Sequence, residues 1–455
     1  MSQKHSLDVI VIGSGGGAKL VRPLANKGYR VAVVESGKWG GTCLNHGCIP
    51  SKMLIYPADV QREMLASVSA NLHGERPTID HEALVARVSQ TVDQESDHIL
   101  PVYDQHPNVT PLVGHARFVG PHTLMVNDQQ IDAPYIAIAT GASVRIPDLP
   151  GLSSVSYITH KAALRLPTLP ARLVIVGGGY IALELAHYFS AAGSHVTVMT
   201  RGDLLSGMMP ELRELYMAMA SSHVTFLTHA TVLGLSQVAH ERVVSVRCGD
   251  QLMTITADEL LIATGMAPNI ESLGLGEAGI QYTPSGIVVN DHLETSVPGV
   301  VAFGDVIGPP YFRHKANYEG EYLLAGFEST DRVPISYPPM PYALFGHPAL
   351  AGVGVLPSDA GPDVVIGHAA IRASAYGMAM NRPDGMMVLV FDRTTRRLIG
   401  AHAVGHQAPT LMHMPVAFMK MKATLDDMLD TIYIHPSMGE VVRNAARHAA
   451  TQWEG

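Results

Sequence analysis

Short apolar runs stopped by glycine turns set the rhythm of this chain. LDVIVI at 7–12 has almost no polar alternation and runs straight into GSGGGA at 13–18. An unbroken apolar run of that length predicts a strand buried on both faces, as in a parallel sheet. A helical stretch follows, and then RVAVVE, ending at Glu35. The same succession returns at RLVIVGGGYIALELAHYF (172–189) and HVTVMT (195–200). Strand, glycine turn, helix and strand, met twice, predict two Rossmann-like units and an α/β fold.

The remaining pattern fills in around these units. Residues 51–65 and 75–105 predict helices, the second amphipathic and entered through Pro77 and Asp80. Short strands are expected over 109–138, with turns at Gly120-Pro121 and Asn127-Asp128, before the buried strand and turn YIAIATGAS. The proline-rich stretch 147–170 marks a boundary. ELLIATGMAPN (259–269) echoes the earlier ATG turn, and TSVPGVVAFGD (295–305) presents Asp305 at a strand end. FRHKANYEGEYLLAGF (312–327) predicts a helix with His314 near its start. From Pro338 on, strand–turn–strand patterns lead to two helical stretches and YIHPSMGE (433–440).

Composition narrows the class. A chain of 455 residues, 47% hydrophobic and 16% charged, is too long for one core and too apolar for disorder. A net charge of -9 gives no support to nucleic acid or an acidic membrane as partner. No apolar run reaches the length of a membrane span, and with the first strand expected to begin at Leu7 no signal peptide is expected. Three cysteines argue against a disulfide-stapled secreted protein, so a cytoplasmic location is expected. The 23 histidines and 22 methionines are scattered, and no metal site is expected.

The chemistry concentrates in GGTCLNHGCIPSK, residues 40–52. Cys43 and Cys48 lie five apart; on a helical turn they project from adjacent turns and can close a short disulfide ring. So short a ring removes little entropy from the unfolded chain and makes a poor staple. Two buried thiols are one bland reading, and zinc another, although no second cysteine pair completes a zinc set. The neighbouring residues favour redox use. Gly13 permits a tight turn, and Gly15 lets backbone approach a pyrophosphate at the helix N-terminus. Glu35, 22 positions after Gly13, suits a ribose hydroxyl. Ala18 replaces a common third glycine, and Lys19 beside it is larger than that place leads one to expect. In the second unit Gly177, Gly179 and Ala182 fill the fingerprint, and Arg201 after the second strand tilts the choice toward NADPH. Leu205 and Ser206 stand where a second arginine is common, which keeps NADH open. Asp305 is placed to accept from a flavin's ribityl hydroxyls, with turn capping as the alternative. Cys248 reads as a strand residue.

These stretches together, in this order over essentially the whole chain, resemble the class I pyridine nucleotide–disulfide oxidoreductases, which include glutathione reductase, dihydrolipoamide dehydrogenase and mycothione reductase. The resemblance implies an FAD domain at 1–147, an NAD(P) domain at 148–268, a central domain at 269–337 and an α+β interface domain at 338–455. It also implies an obligate homodimer with shared active sites. Gly13, Gly15, Gly16, Glu35, Gly41 and Thr42 are implied FAD contacts, joined by Thr140, Gly141, Gly304, Asp305 and His314. Gly177, Gly179, Tyr180, Ile181, Arg201 and Gly265 are implied nicotinamide-nucleotide contacts. Cys43 matches the interchange thiol and Cys48 the thiol beside the flavin. Lys52 and Glu184 match a pair near the flavin N5, and Tyr180 matches an aromatic gate over the flavin. His435 and Glu440 match the acid/base pair supplied by the other subunit, chemistry that suits a histidine oriented by a carboxylate.

Absences narrow the family further. No cysteine follows Cys248, so the C-terminal thiol pairs of mercuric reductase and large thioredoxin reductase are missing. Dihydrolipoamide dehydrogenase usually ends in HxHPT, whereas here Tyr433 fills the first histidine position and Ser437 the threonine. PSKMLIYPADV, FRHKANYEGE, SAYGMAMN and GHQAPTLMHMP look most like the mycothione reductase branch. The expected activity is NAD(P)H-driven reduction of a small thiol disulfide. NAD-linked dihydrolipoamide oxidation on a multienzyme complex is the alternative, and a flavin-bearing sensor with negligible turnover a third. Arg62, Lys420 and Lys422 are the few cations available to grip a substrate, which favours a neutral or zwitterionic one.

Overall fold

A computed structural model describes residues 7–381 and 384–453. The chain divides into two compact units, each assembled from three separate stretches. The first takes Met1–Ser51, Ala86–Ile146 and Gly265–Ser336; the second takes Lys52–Val85, Pro147–Thr264 and Tyr337–Gly455.

The first unit is built on a five-stranded parallel sheet in the order Val300–Ala302, Tyr135–Ile138, Val9–Ile12, Val31–Glu35, Val109–Val113. Val9 pairs with Val31 on one side and Tyr135 on the other. The central strand explains its unbroken apolar sequence. Val9 and Val11 face one core with Leu20, Val21 and Leu24 of the helix Ala18–Asn26, while Ile10 and Ile12 face a second core with Phe118 and Leu124. With both faces covered there is no wet side to ask for polar residues, and each buried Val or Ile contributes about 1.5–3 kcal/mol. The expected strands over 109–138 divide between two sheets. Val109–Val113 joins the parallel sheet, and the next three pair antiparallel in a separate sheet with turns at the two expected places. Lys19 finds its reason here: its Nζ pairs with Glu321 at 2.6 Å, and its stem lies against Gly320, where an added Cβ would come within 2.8 Å.

The second unit holds its own five-stranded parallel sheet, ordered Val224–Leu227, His195–Met199, Arg172–Val176, Glu259–Ile262, Ile158–Thr159. Cys248 closes the strand Glu241–Cys248 of a three-stranded antiparallel sheet, and its thiol donates to Thr228 O at 3.3 Å. A five-stranded antiparallel sheet covers the C-terminal part, with the helix Glu440–Thr451 packed on it through Val441, Val442, Ala445, Ala446 and Ala449. The approach is close: a Cβ on Gly367 would lie 2.0 Å from Ala445 O.

Two helix starts differ from the sequence pattern. The helix expected over 51–65 is Cys48–Ala66, beginning three residues earlier because Ser51 N bonds Gly47 O at 3.1 Å. The helix expected over 75–105 is His81–Asp104; Asp80 caps it by accepting from Ala83 N at 3.0 Å. No helix among the described residues is long and apolar enough to cross a membrane, and no group of three or more metal-ligating side chains lies among them.

Candidate active site

In the first unit the glycine turn, the cysteine stretch and the late Asp305 turn share one structure. Gly13 sits at φ +101°, and a Cβ there would strike Ala139 O at 2.4 Å, so the turn requires glycine. Gly41 (φ +69°) lies against Gly15; a Cβ on it would come within 2.5 Å of Gly15 Cα. Gly16 has little more room, with the Phe303 ring 3.4 Å from a would-be Cβ. Glu35 is held in place by Ser14, whose N and Oγ donate to Oε2 at 2.9 and 2.7 Å, and by Gly37 N on Oε1 at 2.8 Å. Ser14 Oγ in turn accepts from Gly40 N at 2.8 Å, tying the turn to the cysteine stretch.

Cys43 lies in the short helix Gly41–Asn45 and Cys48 opens the next helix, both half-buried. The two cysteines are therefore separated by a break at His46–Gly47 rather than carried on one continuous turn. Buried Asn45 pins the segment, its Nδ2 donating to Trp39 O at 2.8 Å and Gly41 O at 3.0 Å. Thr42 is exposed. Thr140 and Asn269 exchange hydrogen bonds of 3.0 and 2.8 Å across the ATG turn, and Gly141 (φ +71°) has open space where a side chain would stand. Asp305 lies in the turn Gly304–Ile307, just past the strand Val300–Ala302. Burial pushes its carboxyl above the usual range, against the pull of Lys315. Beneath it Lys315 and Glu319 form a buried pair at 2.9 Å, and Glu319 accepts from Gly304 N at 2.6 Å. His314 is exposed and stacks on Phe312 with ring centroids 5.0 Å apart.

In the second unit Gly177 (φ +137°) makes a turn no side chain could share, its would-be Cβ 2.1 Å from Ala263 O. Gly179, which precedes the helix Tyr180–Ala192, has open space instead, as does Gly265 at the start of the last stretch of the first unit. The helix start carries no side-chain cap, so its backbone N–H groups remain for an anionic ligand. Ile181 is half-buried, and Arg201 stands exposed beyond the strand His195–Met199. Leu205, by contrast, is buried and donates through its backbone to Gly178 O at 2.9 Å, which makes it part of the turn.

Lys52 and Glu184 meet as the pattern anticipates, Nζ lying 2.9 and 2.7 Å from the two carboxylate oxygens. Phe345 completes the pair. Its N donates to Glu184 Oε1 at 3.2 Å, and its ring lies 4.4 Å from Lys52 Nζ. Tyr180 packs edge-on against Tyr342 at 6.3 Å, and burial pushes its phenol up to about 12. Arg62, expected as a substrate cation, is instead buried and donates to Ser190 Oγ at 3.1 Å, so it serves the interior.

His435 and Glu440 form a separate cluster in this unit. Imidazole Nδ1 lies 3.0 Å from Glu440 Oε1; His435 is 68% exposed and Glu440 is buried. Because a carboxylate has no hydrogen to give, Nδ1 carries the proton, and Nε2 has no hydrogen bond among the described residues. The His435 contact pulls Glu440 down to about 2 against the cost of burial, with help from Ser437 N and Arg443. Asn45, Ser14, Phe345 and Arg443 are absent from the sequence-derived set. Asn45 sits inside the cysteine motif and Arg443 one helical turn past Glu440, the only signals that could have pointed to them.

A glycine-lined turn with an acidic anchor, a second uncapped helix start behind Gly179, two half-buried cysteines five residues apart and a carboxylate-oriented histidine are what flavin-linked thiol redox chemistry asks for. The chain belongs to the pyridine nucleotide-disulphide oxidoreductases, matching the family over residues 7–320 and its dimerisation domain over 340–446. It is thus a flavoprotein disulfide oxidoreductase that uses FAD and NAD(P)H. Mycothione reductase from Mycobacterium tuberculosis is 33% identical over 97% of this chain and 99% of its own. A mercuric reductase from Staphylococcus aureus is 30% identical over 96% of this chain and 82% of its own, and a dihydrolipoyl dehydrogenase from Geobacillus stearothermophilus 30% over 97% and 96%. The HOCl-induced flavoprotein disulfide reductase RclA from Escherichia coli superposes with a TM-score of 0.85, at 26% identity, over 97% of this chain and 99% of that one.

Proposed function

We propose that the protein is a cytoplasmic, homodimeric reductase of a low-molecular-weight disulfide, driven by NADPH with NADH as a poorer donor. Residues 1–147 bind FAD, 148–268 the nicotinamide nucleotide, 269–337 complete the flavin site, and 338–455 form the dimer interface. The observation that carries the reading is the His435–Glu440 contact of 3.0 Å, which turns one imidazole nitrogen inward and leaves the other for proton transfer.

The flavin, when bound, would supply the electron pair, drawn from the nicotinamide nucleotide, that opens a Cys43–Cys48 disulfide. Cys43 then attacks one sulfur of the substrate as a thiolate, forming a mixed disulfide and releasing one thiolate. His435 of the partner subunit protonates that leaving group, and Glu440 steadies the imidazolium. Cys48 attacks Cys43 Sγ, expels the second thiolate, which takes its proton from solvent, and restores the internal disulfide, so one substrate disulfide leaves as two thiols. Lys52 and Glu184 hold the flavin face of the site, and Tyr180 shields it until the nucleotide arrives. Arg201 grips the 2′-phosphate, a task for which a guanidinium is suited.

With Arg62 turned inward, Lys420 and Lys422 remain of the three candidate cations, which favours a neutral or zwitterionic substrate. Dihydrolipoamide oxidation is the second reading, favoured by the dihydrolipoyl dehydrogenase relative and disfavoured by Tyr433 and Arg201. The test is anaerobic titration with NADPH and NADH followed by a panel of disulfides. Reoxidation by one small disulfide with NADPH preferred supports the proposal, and rapid reoxidation by lipoamide with NADH preferred moves the protein to the second reading. Cys43→Ser should lose disulfide turnover while flavin reduction by NADPH persists; retained turnover would remove Cys43 from its role.

A further inference from the structure

The Glu440 carboxylate is shared. Oε1 takes His435 Nδ1 at 3.0 Å and Arg443 Nη2 at 2.7 Å, while Oε2 takes Ser437 N at 3.2 Å. Glu440 is the first residue of the helix Glu440–Thr451, and Arg443 follows one turn later, which brings both side chains to the same end. A guanidinium cannot discharge in a protein, so a permanent cation lies on the oxygen that steadies the imidazole.

Two consequences follow from that shared oxygen. Arg443 fixes the carboxylate, and it also draws on the negative charge that would otherwise stabilise imidazolium. The two cations stand within about 6 Å of each other, a separation at which like charges disfavour one another. Two further groups beside the guanidinium are uncharged. Tyr433, whose ring centroid is 6.0 Å from the guanidinium, donates its hydroxyl to Met428 O at 3.1 Å, and burial keeps that phenol protonated. Asn444 Oδ1 accepts from Arg443 Nη2 at 3.2 Å. Arg443 Nε is buried with no partner among the described residues.

We propose that Arg443 is a positioning residue that sets the proton affinity of His435: it holds Glu440 and, by sharing its charge, keeps the imidazole a stronger acid than an unshared His–Glu pair would. The proposal rests on the reading of His435 as proton donor. Its functional consequence is an imidazolium readier to give up its proton than one paired with an unshared carboxylate.

The test reads the imidazole directly. In FAD-loaded full-length protein labelled with 13Cε1-histidine, the His435 resonance is identified by its loss in His435→Gln and titrated in Arg443→Met, Arg443→Gln and Arg443→Lys. Both neutral replacements should raise the midpoint by about half to one pH unit, and Arg443→Lys should stay near wild type because it keeps the charge. A midpoint unchanged or lowered in Arg443→Met and Arg443→Gln overturns the proposal. Should Arg443→Met fail to fold, Arg443→Gln, which keeps a donor to Oε1, decides alone. The donor reading is tested apart from this by turnover in His435→Gln: retained turnover removes that reading, while the midpoint shift still decides what Arg443 does to the imidazole.

Discussion

His223 illustrates how a single side chain contributes to the pH dependence of a fold. The residue keeps an exposed edge, but partial desolvation of the ring, aided by the nearby charges of Arg62, His347 and His187, pulls the imidazole down to about 4. Unfolded, the same group takes a proton near 6.5. Between those values the unfolded chain binds more protons than the folded one, so stability must fall as pH drops through that window. His223→Gln should therefore flatten the decline of melting temperature between about pH 6.5 and 4, measured by calorimetry against wild type; an equally steep decline would mean that His223 is not the titrating group. Arg62 teaches the complementary lesson. In the sequence it is one of few cations near the cysteine helix and reads as a substrate grip, yet it donates inward to Ser190. The roles proposed for Cys43, Cys48, His435 and Glu440 could be assigned in the sequence because each residue sits in a short contiguous motif, GGTCLNHGCIPSK or HPSMGE, that carries the family resemblance. The partners of Arg62, Phe345 and Arg443 were not, because they depend on which elements pack together, and no local pattern encodes that choice.

At the level of elements, the periodic pattern read the sheets well and the helix ends poorly. Val9–Ile12 and Arg172–Val176 announce themselves because burial on both faces removes every polar position from the run. The starts at Cys48 and His81 were missed by three and six residues, since a backbone bond to Gly47 and a cap from Asp80 decide them. The packing of the helix Glu440–Thr451 against the strand Val364–Ala370 is the tightest of these joins to bear on the His435 site. A methyl group on Gly367 has nowhere to go: Ala445 O would lie at 2.0 Å and Ala449 Cβ at 2.9 Å. Gly367→Ala should cost about 1–3 kcal/mol in chemical denaturation and lower disulfide turnover as well, because the displaced helix carries Glu440. Gly234→Ala, in the strand Ala230–Val238 with nothing within 4 Å, is the matched control and should cost less. Equal losses would argue that strand propensity, rather than the helix contact, sets the outcome.

Over the whole molecule, the chain crosses between its two compact units five times. Neither unit can therefore be cut out as one continuous segment. Residues 1–264 expressed alone should give no cooperative melt, and co-expression with residues 265–455 should recover bound FAD; a cooperative melt of the first piece would show that it holds a core sufficient by itself. The edge position of Val300–Ala302 has a consequence for how the protein is made. That strand closes the sheet on Tyr135–Ile138 and arrives long after it. At roughly 5–20 residues per second, the ribosome delivers it roughly 15–60 s after the Gly13 turn. Until then the N–H and C=O groups along one side of Tyr135–Ile138 lack their neighbouring strand, a template for pairing with another nascent chain. A message broken before codon 300 thus yields a client for a holdase chaperone, or a seed for aggregation, instead of half an enzyme.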